Sequence, residues 1–135
     1  MSAAPMRVVV ITVLPVIAQG YAEILRRLGH EPVAVIAPRR RVPGAPPTPF
    51  AAEHVADDPP ELDILFAATK HSIAGLLRAY APDVALCTGL PWLIPAEAIA
   101  VPKHGIVNGH PSLDRRIRPR LVAVLHVPRL RRAFR

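Results

Sequence analysis

The sequence predicts a doubly wound α/β fold built on a mostly parallel sheet with flanking helices. Three observations predict it. Short apolar runs rich in β-branched residues recur at Arg7–Val13, Pro32–Ala37, Asp63–Ala68, Val84–Thr88 and Gly105–His110. These runs are nearly continuous in apolar character, as in strands covered on both faces. Helical stretches separate most of them, and the first two lie at the spacing of a right-handed strand–helix–strand unit.

Each element has its own signals. Arg7-Val-Val-Val-Ile-Thr-Val13 is too short for a helix and reads as the first buried strand. Val16–Gly29 follows with Ile17, Tyr21, Ile24, Leu25 and Leu28 on one face, and Gln19, Glu23, Arg26 and Arg27 on the other. Gly29 supplies the C-cap of that helix. The second strand is Pro32–Ala37. From Pro38 to Pro60 the periodicity dissolves, and Pro38, Pro43, Pro46, Pro47, Pro49, Pro59 and Pro60 make it a long surface loop. Its Arg39–Arg41 triplet reads as a solvated loop, with phosphate contact as the alternative. Asp63–Ala68 is the third strand. His71–Tyr80 is a short helix with Ile73, Leu76 and Leu77 inward, and Val84–Thr88 is the fourth strand. Gly89-Leu-Pro-Trp-Leu-Ile-Pro95 is a turn-rich loop, Ala96–Ala100 one or two helical turns, and Gly105–His110 the fifth strand.

Composition bounds the function class. The chain has 135 residues and 51% hydrophobic residues, so disorder is disfavoured and one modest core is expected. No apolar run approaches the ~20 residues that span a bilayer, and no membrane association is expected. The N-terminus reads as a strand and not as a signal peptide. A single cysteine, Cys87, excludes an internal disulfide framework and a cysteine-based zinc site. A cytoplasmic location is the simplest expectation, with no metal.

The net charge of +7 is unevenly spread. Over residues 1–113, nine bases (Arg7, Arg26, Arg27, Arg39, Arg40, Arg41, Lys70, Arg78, Lys103) meet nine acids (Glu23, Glu31, Glu53, Asp57, Asp58, Glu61, Asp63, Asp83, Glu97). Residues 114–135 hold eight arginines and Asp114 alone. The body is therefore neutral and the tail carries the excess.

In open α/β sheets, ligands bind at the carboxyl ends of the strands. Three segments fall there: Leu14–Ile17, Gly89–Pro95 and Asn108–Ser112. None carries a Gly-x-Gly-x-x-Gly or a Gly-Lys-Ser/Thr, so dinucleotide and P-loop readings lose their motif. Asn108 and His110 stand two apart, hence on one face of a strand. An amide donor and an imidazole at one strand end suit an oxyanion site. A structural Asn-Gly turn with a packed or exposed histidine is the alternative.

Several motifs in order resemble the formyltransferase family, the 10-formyltetrahydrofolate-dependent enzymes. They are Gly29-His-Glu-Pro-Val-Ala-Val35, Pro82-Asp-Val-Ala-Leu86, Gly89-Leu-Pro-Trp-Leu-Ile-Pro95 and Val101-Pro-Lys-His-Gly-Ile-Val-Asn-Gly-His-Pro-Ser-Leu113. The resemblance covers roughly residues 7–113, to the N-terminal part of members of the methionyl-tRNA type. It implies a Rossmann-like folate-binding domain and formyl transfer from 10-formyltetrahydrofolate, a co-substrate, to an amine; initiator Met-tRNA fits the methionyl-tRNA type, and glycinamide ribonucleotide and amino-sugar nucleotides, used by other relatives, stay open as acceptors. Asn108 matches the family's asparagine that donates to the formyl oxygen, and His110 its proton-handling histidine. Gly89, Leu90, Pro91, Trp92 and Leu93 match the pterin-pocket wall, and Ser112 and Leu113, which close the motif, are expected with them among the cofactor-binding residues. Ordinary packing stays open for Trp92, and Cys87 reads as inert core.

After Leu113 the resemblance stops. Residues 1–113 then form an incomplete, C-terminally truncated formyltransferase-like domain, and 114–135 an Arg-rich divergent tail. The family's later aspartate, which orients the histidine, has no match here, so weak or absent activity is expected. Two explanations fit the tail: a functional basic arm, in which Leu121–Val127 adds a strand and arginines hold tRNA phosphates, or a reading-frame slip near codon 113. A non-catalytic folate-binding module and a basic-tailed RNA-binding protein are the alternative functions.

Overall fold

The computed structural model describes residues 4–13, 15–39, 62–90 and 92–109. Most of the proline-rich loop, with Arg40 and Arg41, and the whole tail from His110 onward lie outside the described residues.

Among the described residues five strands and three helices follow in order: β1 (Arg7–Ile11), α1 (Pro15–Arg27), β2 (Glu31–Pro38), β3 (Asp63–Ala67), α2 (Ser72–Tyr80), β4 (Val84–Thr88), α3 (Ala96–Ile99) and β5 (Ile106–Gly109). The sheet order is β3-β2-β1-β4-β5 and every neighbouring pair is parallel. Parallel pairing needs crossovers over the faces, and these bury the sheet on both sides. Hence the near-continuous valine run: Val8, Val9, Val10 and Ile11 are all fully buried. The predicted doubly wound sheet is present, with strand ends within one or two residues of those read from the sequence.

The two faces hold separate cores. On one, Ala18 and Leu25 of α1 pack with Val8, Val10, Val35, Ala37 and Val84. On the other, Ile73, Ala74 and Leu77 of α2 and Ala98 of α3 pack with Val9, Ile11, Ile36, Cys87 and Ile106. Strand alternation assigns each residue to its face.

The predicted apolar face of α1 needs correction. Ile24 and Leu28 are 52% and 67% exposed, while Ala18, Ala22 and Leu25 meet the sheet. The sheet face beneath already presents branched side chains, so the helix buries Ala18, Ala22 and Leu25 at i, i+4 and i+7, with Tyr21 of the predicted face half-buried beside them. Counting bulk placed the stripe about one-quarter turn off. Leu76 of α2, expected inward, is only partly buried beside Ile73, Ala74 and Leu77.

The turns follow local chemistry. Gly29 has φ +80°, His30 N–H donates to Leu25 O at 2.8 Å, and Gly29 N–H to Arg26 O at 3.0 Å. That is a Schellman C-cap, as the glycine predicts. Pro32 falls where the β1–β2 register slips, between Val8 and Val9, so its missing N–H costs no regular ladder bond. α2 ends at Ala81, which takes φ +44° and donates to Leu77 O. A β-carbon disfavours the left-handed region by about 1–2 kcal/mol. Ala81→Gly is therefore expected to raise the unfolding free energy by about 1 kcal/mol in a urea titration.

The amino end of the sheet is closed by Asp83 and Arg7. Arg7 N–H donates to Asp83 Oδ2 at 2.8 Å, Asp83 N–H to Arg7 O at 2.9 Å, and Arg7 Nη2 to Tyr80 O at 3.0 Å. Met6 N–H donates to His30 Nδ1 at 3.3 Å, and Glu31 pairs with Arg7 at 3.6 Å. The Gly-His-Glu and Pro-Asp motifs thus serve the frame. They lie at the opposite end from the strand termini where a ligand would bind.

Candidate functional site

The strand order reverses between β1 and β4: the chain runs outward from β1 through β2 to β3, then returns beyond β1 to β4. A crevice opens at the carboxyl ends of such neighbours. Thr12 stands at the end of β1, fully buried, its N–H donating to Ile36 O at 3.0 Å. Thr88 ends β4 and Gly109 ends β5, opposite each other in register.

Asn108 is the described member of the predicted pair. It sits opposite Cys87 in the β4–β5 ladder and is exposed. Ile106, two residues before it, is buried in the α2–α3 core, so alternation directs Asn108 to that face, beyond the end of the core. His110, Ser112, Leu113 and Pro91 lie outside the described residues.

The loop after β4 leaves on the same face. Gly89 takes φ +69°, a conformation that favours glycine, and turns the chain out of the strand. Leu90, Trp92 and Ile94 are half-buried and packed against the α2–α3 core, whereas Leu93 is 68% exposed. Among the predicted wall residues, Leu90 and Trp92 thus combine core packing with a partly open surface, and Leu93 faces water. The structure brings Asn108 and this apolar loop to one face of the sheet, at its carboxyl end.

A contact missed by the sequence reading lies just beneath. The Tyr21 hydroxyl of α1 and Thr88 Oγ1 share a hydrogen bond of 3.0 Å. A β-carbon at Gly109 would meet Thr88 Oγ1 at 2.9 Å and the Tyr21 hydroxyl at 3.3 Å. The Asn-Gly step therefore has a tertiary cause as well as a turn propensity. A threonine closing an otherwise apolar strand was the visible signal; its partner, 67 positions away, was not.

Cys87 is buried, and burial pushes its thiol from 9.0 up to about 12. It is a neutral core residue, as the sequence reading had it. In the folded chain it keeps a proton that the unfolded chain releases above pH 9, so its contribution is full below that pH and is lost as pH rises toward about 12. Cys87 is expected to resist a thiol-disulfide reagent at pH 8 in the native protein and to react fully in urea.

At the start of α2, His71 Nδ1 and Glu97 Oε1 of α3 lie 2.9 Å apart on the surface. The imidazole, first by its hydrogen bond, holds the Glu97 carboxyl below its ordinary range. Among the described residues no group of three or more His, Cys, Asp or Glu gathers to hold a metal, and no helix is long and apolar enough to cross a membrane.

No protein-family model matches the chain. It is 31% identical over 107 residues to methionyl-tRNA formyltransferase of Herpetosiphon aurantiacus, and 34% identical over 105 residues to that of Paenarthrobacter aurescens. Each match covers 73% of this chain and 33% of the relative, so the chain spans about a third of the length of these curated relatives. Its fold matches glycinamide ribonucleotide transformylase 1 of Symbiobacterium toebii, with a TM-score of 0.58 at 18% identity over 83% of this chain and 54% of that one. A 4-N formyltransferase of Francisella tularensis gives a TM-score of 0.56 at 16% identity over 82% of this chain and 40% of that one. In sequence this chain is a relative of the formyltransferases, and it carries their Rossmann-like parallel sheet.

Proposed function

We propose that the chain binds 10-formyltetrahydrofolate at the carboxyl ends of β1, β4 and β5 and serves formyl transfer to an amine, initiator methionyl-tRNA being the acceptor. The observation that supports it most is the position of Asn108. A neutral amide donor stands at a strand end beside the switch point, on the face where Leu90 and Trp92 offer a half-buried apolar wall. The kinship with methionyl-tRNA formyltransferases supports the acceptor, and the buried free thiol of Cys87 agrees with a cytoplasmic location.

In this reading the acceptor nitrogen attacks the formyl carbon and a carbon–nitrogen bond forms. Negative charge builds on the carbonyl oxygen, where the Asn108 amide donates. His110 takes a proton from the attacking nitrogen and passes it to the departing folate nitrogen as that nitrogen's bond to the formyl carbon breaks. Preorganised donors of this kind stabilise charge that develops during reaction. The chain spans a third of its curated relatives' length, and folate binding and formyl transfer are separate expectations, each with its own test.

Trp92, the only tryptophan, reports on the wall. Titration with a reduced folate is expected to change its fluorescence saturably. Folate binding with no transfer to any amine would make the chain a non-catalytic folate module. Steeply salt-dependent RNA binding with no folate response would favour the basic tail as the active part.

A further inference from the structure

We infer that the Tyr21–Thr88 hydrogen bond is a positioning device, seating the end of β5 so that Asn108 is held in place. β5 is four residues long, forms the sheet edge among the described residues, and leaves Val107 43% exposed. Strand ends of this kind open readily. Something other than the β4 ladder must hold a side chain there to sub-ångström tolerance.

The seat meets that need. Tyr21 comes from α1, which packs on the central strands, and its hydroxyl meets Thr88, whose register partner is Gly109. Gly109 lies so close to both oxygens that no β-carbon fits without displacement. The strand end therefore rests on a hydrogen-bonded pair anchored to the rigid middle of the sheet. Gly109 points to the α1 side, so Asn108 points to the other, and neither Tyr21 nor Thr88 needs to touch a substrate. Their effect passes through the backbone of residue 109. Its consequence for rate rests on the proposed formyl transfer; the seat itself does not.

The sequence offers a clean probe. Asn108 is the only asparagine and Gln19 the only glutamine, so a ¹⁵N-labelled full-length chain shows two side-chain carboxamide pairs. Tyr21→Phe, which removes one oxygen, is expected to move the Asn108 carboxamide signals while the amides of α2 stay in place. Thr88→Val is expected to do the same, and Thr88→Ser to restore them. Gly109→Ala is expected to displace the Asn108 signals further, and Thr88→Ala in that background to bring them part of the way back. Where transfer is measurable, Tyr21→Phe is expected to lower kcat about tenfold or more, with reduced-folate affinity within twofold, since small misplacements of a reacting group cost up to about 10²-fold. Unmoved Asn108 signals in Tyr21→Phe, or no restoration by Thr88→Ser, overturn the inference. A wild-type chain with no transferase activity would count against the functional reading alone, because the spectra still decide the seat.

Discussion

Asn108→Ala is expected, under the proposed function, to lower formyl transfer from a reduced folate by about 10²–10³-fold, the usual effect of deleting one donor to a developing oxyanion. The folded structure should be left intact. Asn108 is exposed, and the strand's packing comes from Ile106, which is fully buried two residues earlier. Folate affinity should change little, because in the proposed reaction the Asn108 hydrogen bond would strengthen only as charge builds on the formyl oxygen. Asn108→Asp should fall at least as far, since an anion would replace the donor at the place where negative charge develops. Initial-rate measurements with a formyl donor and Met-tRNA, beside a folate titration, check both parts. Equal losses in folate affinity and in rate would assign Asn108 to uniform ligand binding and would remove it from the chemistry.

Ile11→Ala is expected to cost about 3–4 kcal/mol of stability, read from the midpoint of a urea unfolding curve. Ile11 is fully buried at the end of the central strand, paired with Ile36 on one side and Cys87 on the other. Its neighbours are strand residues tied into ladders on both sides, so the space left by the truncated side chain cannot collapse freely. Small domains have total stabilities of roughly 5–15 kcal/mol, which makes this one change a large share. The position also lies one residue before Thr12, at the switch point. Loss of folate binding in Ile11→Ala should therefore track loss of folded protein; binding lost while the fold persists would place Ile11 in the ligand site itself.

Much of the frame was legible in the sequence because its determinants are local. The valine run of β1, the glycine after α1 and the apolar run of β4 each carry a conformational preference within a few residues, and the structure follows them. The orientation of α1 was less legible. Periodicity located the stripe, but which third of the helix meets the sheet depends on the shape of the face beneath, set by Val8, Val10, Val35 and Ala37 on other elements. The candidate site divides in the same way. The place of Asn108 near the end of β5 could be read directly, while His110 lies outside the described residues. The roles of Pro82-Asp83 and Gly29-His-Glu31 could not, since both motifs turned out to close the amino end of the sheet through contacts with Arg7 and Met6.

By itself the sequence determined the class of the fold, the order of its elements, the neutral body with its basic tail, and the strand end on which the candidate chemistry stands. These depend on period, composition and turn residues, all short-range properties of the chain. Only the tertiary structure decided the strand order that puts β4 beside β1 and β5 beyond β4, the face to which Asn108 points, and the Tyr21–Thr88 seat under Gly109. Each of these depends on groups distant in sequence meeting across a packed interior, and sterics at contact distances of about 3 Å have no signature in a one-dimensional pattern.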